Sequence, residues 1–174
     1  MKKQVAILSV ILAFASLAAC QKTRPSPSAS ASCSFADGKT IKTDYSSPRA
    51  KGRKIFGGLV PYGEVWRLGA NDATTFVTDA NLTAGGKDIP AGSYTIFAIP
   101  AQDKWTLIIN KKTGEWGIPY KYESDELGRI DMKTSALSSP MEDFTISYDQ
   151  KGGSCVLNAA WENTKASVEF TEKK

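Results

Sequence analysis

Two adjacent stretches decide the fold: Gly92–Ile99, GSYTIFAI, and Lys104–Asn110, KWTLIIN, separated by a turn at Pro100–Asp103. Both are rich in β-branched and aromatic residues, as strands are. Neither alternates cleanly between apolar and polar. A strand that is apolar on both faces is covered on both faces, so this pair belongs at the centre of the molecule.

Working outward, the flanking segments have the half-buried pattern of period two. Thr40 to Tyr45 places Ile41, Thr43 and Tyr45 on one face and Lys42 and Asp44 on the other. Thr74–Thr78 is a further strand, and Trp66–Leu68 a short one. Between Asn81 and Pro90 the pair Gly85-Gly86 reads as a hairpin turn. Arg129–Lys133, Asp143–Tyr148, Cys155–Trp161 and Lys165–Phe170 read as closing strands, the last two joined by a hairpin at Glu162-Asn163-Thr164. Ser46–Gly63 and Lys111–Asp125 read as loops. No segment after the leader sustains a helical apolar period. About nine short strands with turn signals every 8–12 residues predict an antiparallel β-sandwich or flattened barrel. The 174-residue length and 41% hydrophobic content suit one such domain.

The first twenty residues follow a different grammar. Lys2 and Lys3 precede Val5–Leu17, thirteen residues that are apolar except for Ser9 and Ser16. About 20 apolar residues are needed to span a bilayer, so this run is expected to be a signal peptide. It ends Leu17-Ala18-Ala19-Cys20, which resembles the lipobox of bacterial lipoproteins. The expected organisation is a signal peptide at 1–19, acylated Cys20 with a flexible tether at 20–32, and the β-domain at 33–174. The tether, Gln21–Ser32, is rich in Ser, Ala and Pro and holds no large apolar residue. Two or more acyl chains hold a protein on a membrane, so the membrane is the expected partner through Cys20. Gln21 in place of Asp favours an outer membrane, by resemblance to enterobacterial sorting. Cleavage removes two lysines and no acid, lowering the net charge from +4 to +2. That balance is too mild to imply nucleic acid.

With Cys20 acylated, Cys33 and Cys155 remain in an oxidising compartment. Such a pair reads as a disulfide, the alternative being two buried thiols. The chain has no histidine, which removes triad nucleophiles, imidazole bases and His-ligated metals. It has no P-loop and no C-x-x-C, and no metal or cofactor is expected. Asp125 with Glu126, and Glu142 with Asp143, are the candidate carboxylates, but strand neighbours point to opposite faces and make no dyad. A carboxylate-dependent hydrolase, with Glu142 as its nominee, is therefore the least favoured of three readings.

Pro48–Asn71, PRAKGRKIFGGLVPYGEVWRLGAN, interleaves Arg49, Lys51, Arg53, Lys54 and Arg67 with Phe56, Tyr62 and Trp66. Long loops in compact domains are usually functional or disordered, and this one has the apolar content to be ordered. Guanidinium groups beside rings suit carboxylate, phosphate or sugar. The candidate ligand-binding residues are Arg53, Tyr62, Trp66, Arg67 and Asn71, and the candidate ligand is an anionic or sugar-bearing envelope molecule. Alternatively Phe56, Leu59, Val60 and Trp66 cap one end of the sandwich, with Arg53 and Arg67 paired to Glu64, Asp72 or Glu142. A structural or protein-interaction role in the envelope is the second reading.

Lys51-Gly52-Arg53, Ile55-Phe56-Gly57, Val60-Pro61-Tyr62-Gly63 and Trp66-Arg67-Leu68-Gly69-Ala70-Asn71, preceded by Tyr45, resemble the domain-of-unknown-function family numbered 2911 over about residues 39–172. Ser47 stands before Pro48 where that family often has Arg, and Arg49 follows the proline instead. The resemblance implies an exported, often lipidated protein without an established activity or cofactor.

Overall fold

The computed structural model describes residues 25–174. The cleavage and acylation expected at Cys20 lie outside the described residues. Within them the chain is all-β, with nine strands: β1 Ser28–Ser34, β2 Thr40–Ser46, β3 Thr74–Thr78, β4 Leu82–Ala84, β5 Lys87–Ile89, β6 Gly92–Ile99, β7 Lys104–Asn110, β8 Glu126–Lys151 and β9 Ser154–Glu172. One short 3-10 turn at Glu123–Asp125 precedes β8. The strands form a single antiparallel sheet in the order β1-β2-β3-β6-β7-β8-β9-β4-β5.

The central pair is β6 and β7, paired from Thr95↔Asn110 to Ile99↔Thr106. Its two faces go to two different places. Ile96, Ala98, Trp105, Leu107 and Ile109 enter the main core. Phe97 and Ile108 face the other way, where Ala73, Tyr120 and Tyr122 cover them. The doubly apolar pattern is thus explained by a loop, residues 111–125, lying over the outer face of the sheet.

Four closing strands were expected where there are two long ones. β8 and β9 form one hairpin that turns at Gly152-Gly153, and Glu162-Asn163-Thr164 runs through β9. Met141 pairs with Glu162, and Ala136 with Thr164, so residues 137–140 bulge out of β8 opposite Asn163. Glu162 adopts a positive φ of 53°. A bulge bends a strand without reversing it, and both strands bend at the same level. The far half of the hairpin thereby folds over β1 and β2. Ile146 N–H donates to Tyr45 Oη at 3.0 Å, Ser47 Oγ donates to Phe144 O at 2.7 Å, and Gln150 Nε2 donates to Ser34 O at 2.9 Å. The sheet becomes a sandwich by curling, and it is not closed by a continuous ladder.

The expected tether reaches too far. Ser28–Ser32 are the first five residues of β1, paired with β2 from Ser28↔Ser46 to Ser34↔Thr40. An edge strand needs no large side chain of its own when its neighbours supply the core. Ala29 and Ala31 pack against the core all the same. Cys33 and Cys155 form a disulfide between β1 and β9, with a Cα–Cα distance of 6.1 Å. The β4–β5 hairpin turns at the expected pair, Gly85 and Gly86, with φ of 54° and 75°. A two-residue turn of this kind needs positive φ at both positions.

Candidate functional site

The loop from Ser47 to Ala73 carries all five candidate residues and is laced down at both ends. Ala50 N–H donates to Glu142 O at 2.8 Å, and Phe144 N–H donates to Pro48 O at 2.9 Å. Farther along, Trp66 and Ala98 exchange two backbone hydrogen bonds of 2.8 and 2.9 Å. The short strand expected at Trp66–Leu68 is this single bridge. Leu68 and Asn71 then take positive φ of 50° and 57°. This compact turn ends where Thr74 Oγ1 donates to Leu68 O at 2.7 Å.

The geometry sends neighbouring side chains to opposite sides. Trp66 points inward and is 8% exposed. It stacks on Trp161 at 6.0 Å and meets Phe144, Trp105 and Phe56 edge-on at 4.9, 6.1 and 6.2 Å. Its Nε1–H donates to Gly69 O at 3.0 Å. Arg67 points outward, its Cζ 4.9 Å from the centre of the Trp116 ring. Arg67 Nη1 also donates to Asn71 O. Burial lowers the Arg67 pKa from its ordinary value, and Asp72 opposes that shift. The group keeps its charge nonetheless, as arginine does in proteins.

Trp116 reaches this place because its loop is braced from below. Asn110 Nδ2 donates to Tyr120 Oη at 3.1 Å and to Tyr122 O at 2.7 Å. Tyr120 Oη–H donates to Glu126 Oε1 at 2.8 Å, and Tyr122 Oη–H to Glu115 Oε2 at 3.1 Å. Burial, with the Glu126 carboxylate, raises the Tyr120 pKa. Gly117 has a φ of 94°, and a Cβ there would stand 2.9 Å from Ala73 and 3.1 Å from Phe97. Only glycine lets the backbone beside Trp116 come so close to the sheet.

These loops enclose an open pocket of about 380 Å³. Trp66, Arg67 and Asn71 line it together with Leu59, Trp116 and Ile118. Three of the five candidate residues are therefore brought together. Arg53 is not: its Nε and Nη2 donate to Ala50 O and Arg49 O at 2.9 and 2.6 Å, holding its own turn. A guanidinium that near a tight turn satisfies the turn's carbonyls first. Tyr62 lies over Gly57, where a Cβ would stand 2.7 Å from its ring, and it does not line the pocket. Of the three carboxylates foreseen as partners for the arginines, Asp72 acts on Arg67 electrostatically, whereas Glu142 accepts Lys51 N–H at 2.8 Å. Asp143 pairs with Arg49, and Glu126 accepts both Arg129 Nε and Nη2, at 2.8 and 2.9 Å.

Asn71 has a second task. Its Nδ2 donates to Ser26 O at 3.1 Å and to Ser46 Oγ at 3.0 Å, tying the incoming chain to the loop. Replacing it with alanine removes both bonds, at about 1 kcal/mol each, and puts a side chain without local hydrogen bonding at positive φ. Asn71→Ala is expected to lose about 2–3 kcal/mol in urea unfolding. An unchanged midpoint would show that these bonds contribute nothing.

A family model described as a protein of unknown function, DUF2911, matches residues 26–170. The match begins ahead of β1, in keeping with the strand found there. No curated protein and no solved structure matches the chain.

Proposed function

We propose, from the premise that the chain belongs to the DUF2911 family, that it is a membrane-anchored envelope lipoprotein whose domain is a non-catalytic binding module. The site is the pocket at Arg67, and the ligand pairs an anionic group with a sugar or other flat-faced body. One observation carries this reading: a charged guanidinium held 4.9 Å over an indole ring at the mouth of a pocket with apolar walls. Such a fork presents donors to phosphate or carboxylate while the ring offers a face to a sugar. A volume of about 380 Å³ is at the small end of ligand pockets and suits one sugar unit with its anionic group. Acylation at Cys20, an exported location and an outer-membrane address complete the reading, and they rest on the leader and Gln21 alone.

The test uses N-acetylglucosamine, its 1-phosphate and muramyl dipeptide as probes. Tryptophan emission is followed in the full chain and in Arg67→Met, which keeps the aliphatic packing and removes the charge. The anionic probes are expected to shift emission, and Arg67→Met to weaken them at least tenfold, the worth of about 1.4 kcal/mol. Probes that bind both proteins equally, or neither, would refute the site.

A further inference from the structure

We propose that the rim formed by Leu59, Trp116 and Ile118 rests on the surface of the lipid bilayer that holds the protein. Leu59, Trp116 and Ile118 are 47%, 57% and 38% exposed, and they are three of the five large exposed hydrophobics among the described residues. All three border the same opening. Scattered exposed apolar side chains need no explanation, but a convergent set at one mouth marks a contact surface.

The path of the chain identifies the occupant. Pro25 and Ser26 line this same pocket, so the polypeptide enters the domain at the rim. Cys20 lies five residues before Pro25. Five extended residues span about 18 Å, so an acyl group on Cys20 enters its membrane within that distance of Pro25. A domain held so close presents its point of entry to the bilayer surface.

The chemistry of the rim matches that surface. An indole has an apolar body and a polar N–H, and it settles at the boundary between headgroup and acyl chain. Leu59 and Ile118 add apolar area beside it. The intervening segment carries Lys22 and Arg24. Lys54, an exposed residue whose backbone carbonyl accepts Leu59 N–H at 3.1 Å, belongs to the same turn as Leu59. Basic residues in a segment next to a membrane favour anionic headgroups. The rim thus fixes how the domain faces the membrane, beyond the tether that only keeps it near. The orientation places the mouth of the Arg67 pocket toward headgroups rather than toward bulk solvent.

The proposal rests on acylation of Cys20, which the experiment reads separately. The full acylated chain is reconstituted in vesicles of phosphatidylcholine and phosphatidylglycerol, with or without bromine at positions 6 and 7 of one acyl chain. Trp66, Trp105 and Trp161 are buried in the core, at 8%, 1% and 1% exposure, which leaves Trp116 as the tryptophan that bromine can reach. Brominated lipid is expected to quench part of the emission. That quenched part is expected to vanish in Trp116→Phe and to fall by at least half in the double variant Leu59→Asp/Ile118→Asp, with thermal unfolding unchanged. The same preparation, grown with an alkyne fatty acid, reports acylation. A labelled protein whose emission ignores bromine, or whose Trp116→Phe variant is quenched equally, overturns the docking and leaves the anchor standing. An unlabelled protein overturns both.

Discussion

Trp66→Ala is expected to lower the unfolding free energy by about 3–5 kcal/mol, the range for deleting a large aromatic side chain from a packed core. Trp66 sits among Phe56, Trp105, Phe144 and Trp161. Few neighbours are free to collapse into the space, because each of those rings contacts at least one other ring of the group. The substitution also strands Gly69 O, which accepts the indole N–H, and so loosens the turn carrying Asn71. Urea unfolding followed by far-ultraviolet circular dichroism measures the loss. Arg67→Met is the control, with an expected cost of about 0.5–1 kcal/mol for a partly exposed cation over a ring. If the two variants unfold at the same midpoint, Trp66 is not the pillar described above. This contrast governs how binding data are read, since a Trp66 variant that loses a ligand has lost its scaffold too.

The second large effect concerns β1. Apart from Cys33, its side chains are serine and alanine and bury little apolar area, so its attachment relies on backbone pairing and on the bridge to β9. A cross-link over 122 residues stabilises a fold by about 4–5 kcal/mol in the chain-entropy model, less any strain. The double variant Cys33→Ala/Cys155→Ala is expected to lose that amount. With a typical urea slope of about 2 kcal/mol/M, the midpoint falls by about 2 M. Reducing agent is expected to move the native protein to the same midpoint and to leave the variant where it is. Coincident transitions for oxidised and reduced protein would show that the bridge does not hold the fold together.

What was legible in the sequence had a local cause. GSYTIFAI and KWTLIIN gave their strands without error because β-branched and aromatic runs leave a chain few alternatives. Gly85-Gly86 marked its turn because positive φ is cheap only for glycine. The disulfide between Cys33 and Cys155 matched the pairing expected once Cys20 is set aside for acylation in an exported protein. The misses had distant causes. β1 carries no apolar signal of its own, since its pairing is set by β2 lying beside it. Glu162-Asn163-Thr164 has the composition of a turn, yet both flanking strands pair with one bent partner, and the chain runs on. Within the candidate site, Arg67 and Trp66 stood out as a basic and aromatic cluster. Trp116 did not, because it comes from a loop about fifty residues away that is positioned by Tyr120, Tyr122 and Gly117. Spacing within one segment cannot reveal a wall that another segment supplies. Arg53 and Tyr62 matched in composition, but their turns used them first.

The bridge between β1 and β9 also sets how the protein responds to mechanical load. A pull on the N-terminal chain first meets the Asn71 hydrogen bonds to Ser26 and Ser46 and then runs along β1. Peeling stops at Cys33, five residues beyond Ser28, because tension there crosses a covalent bond into Cys155 on β9. Drag on the domain is carried by the long β8–β9 hairpin, and an edge strand of small residues withstands forces its own contacts would not.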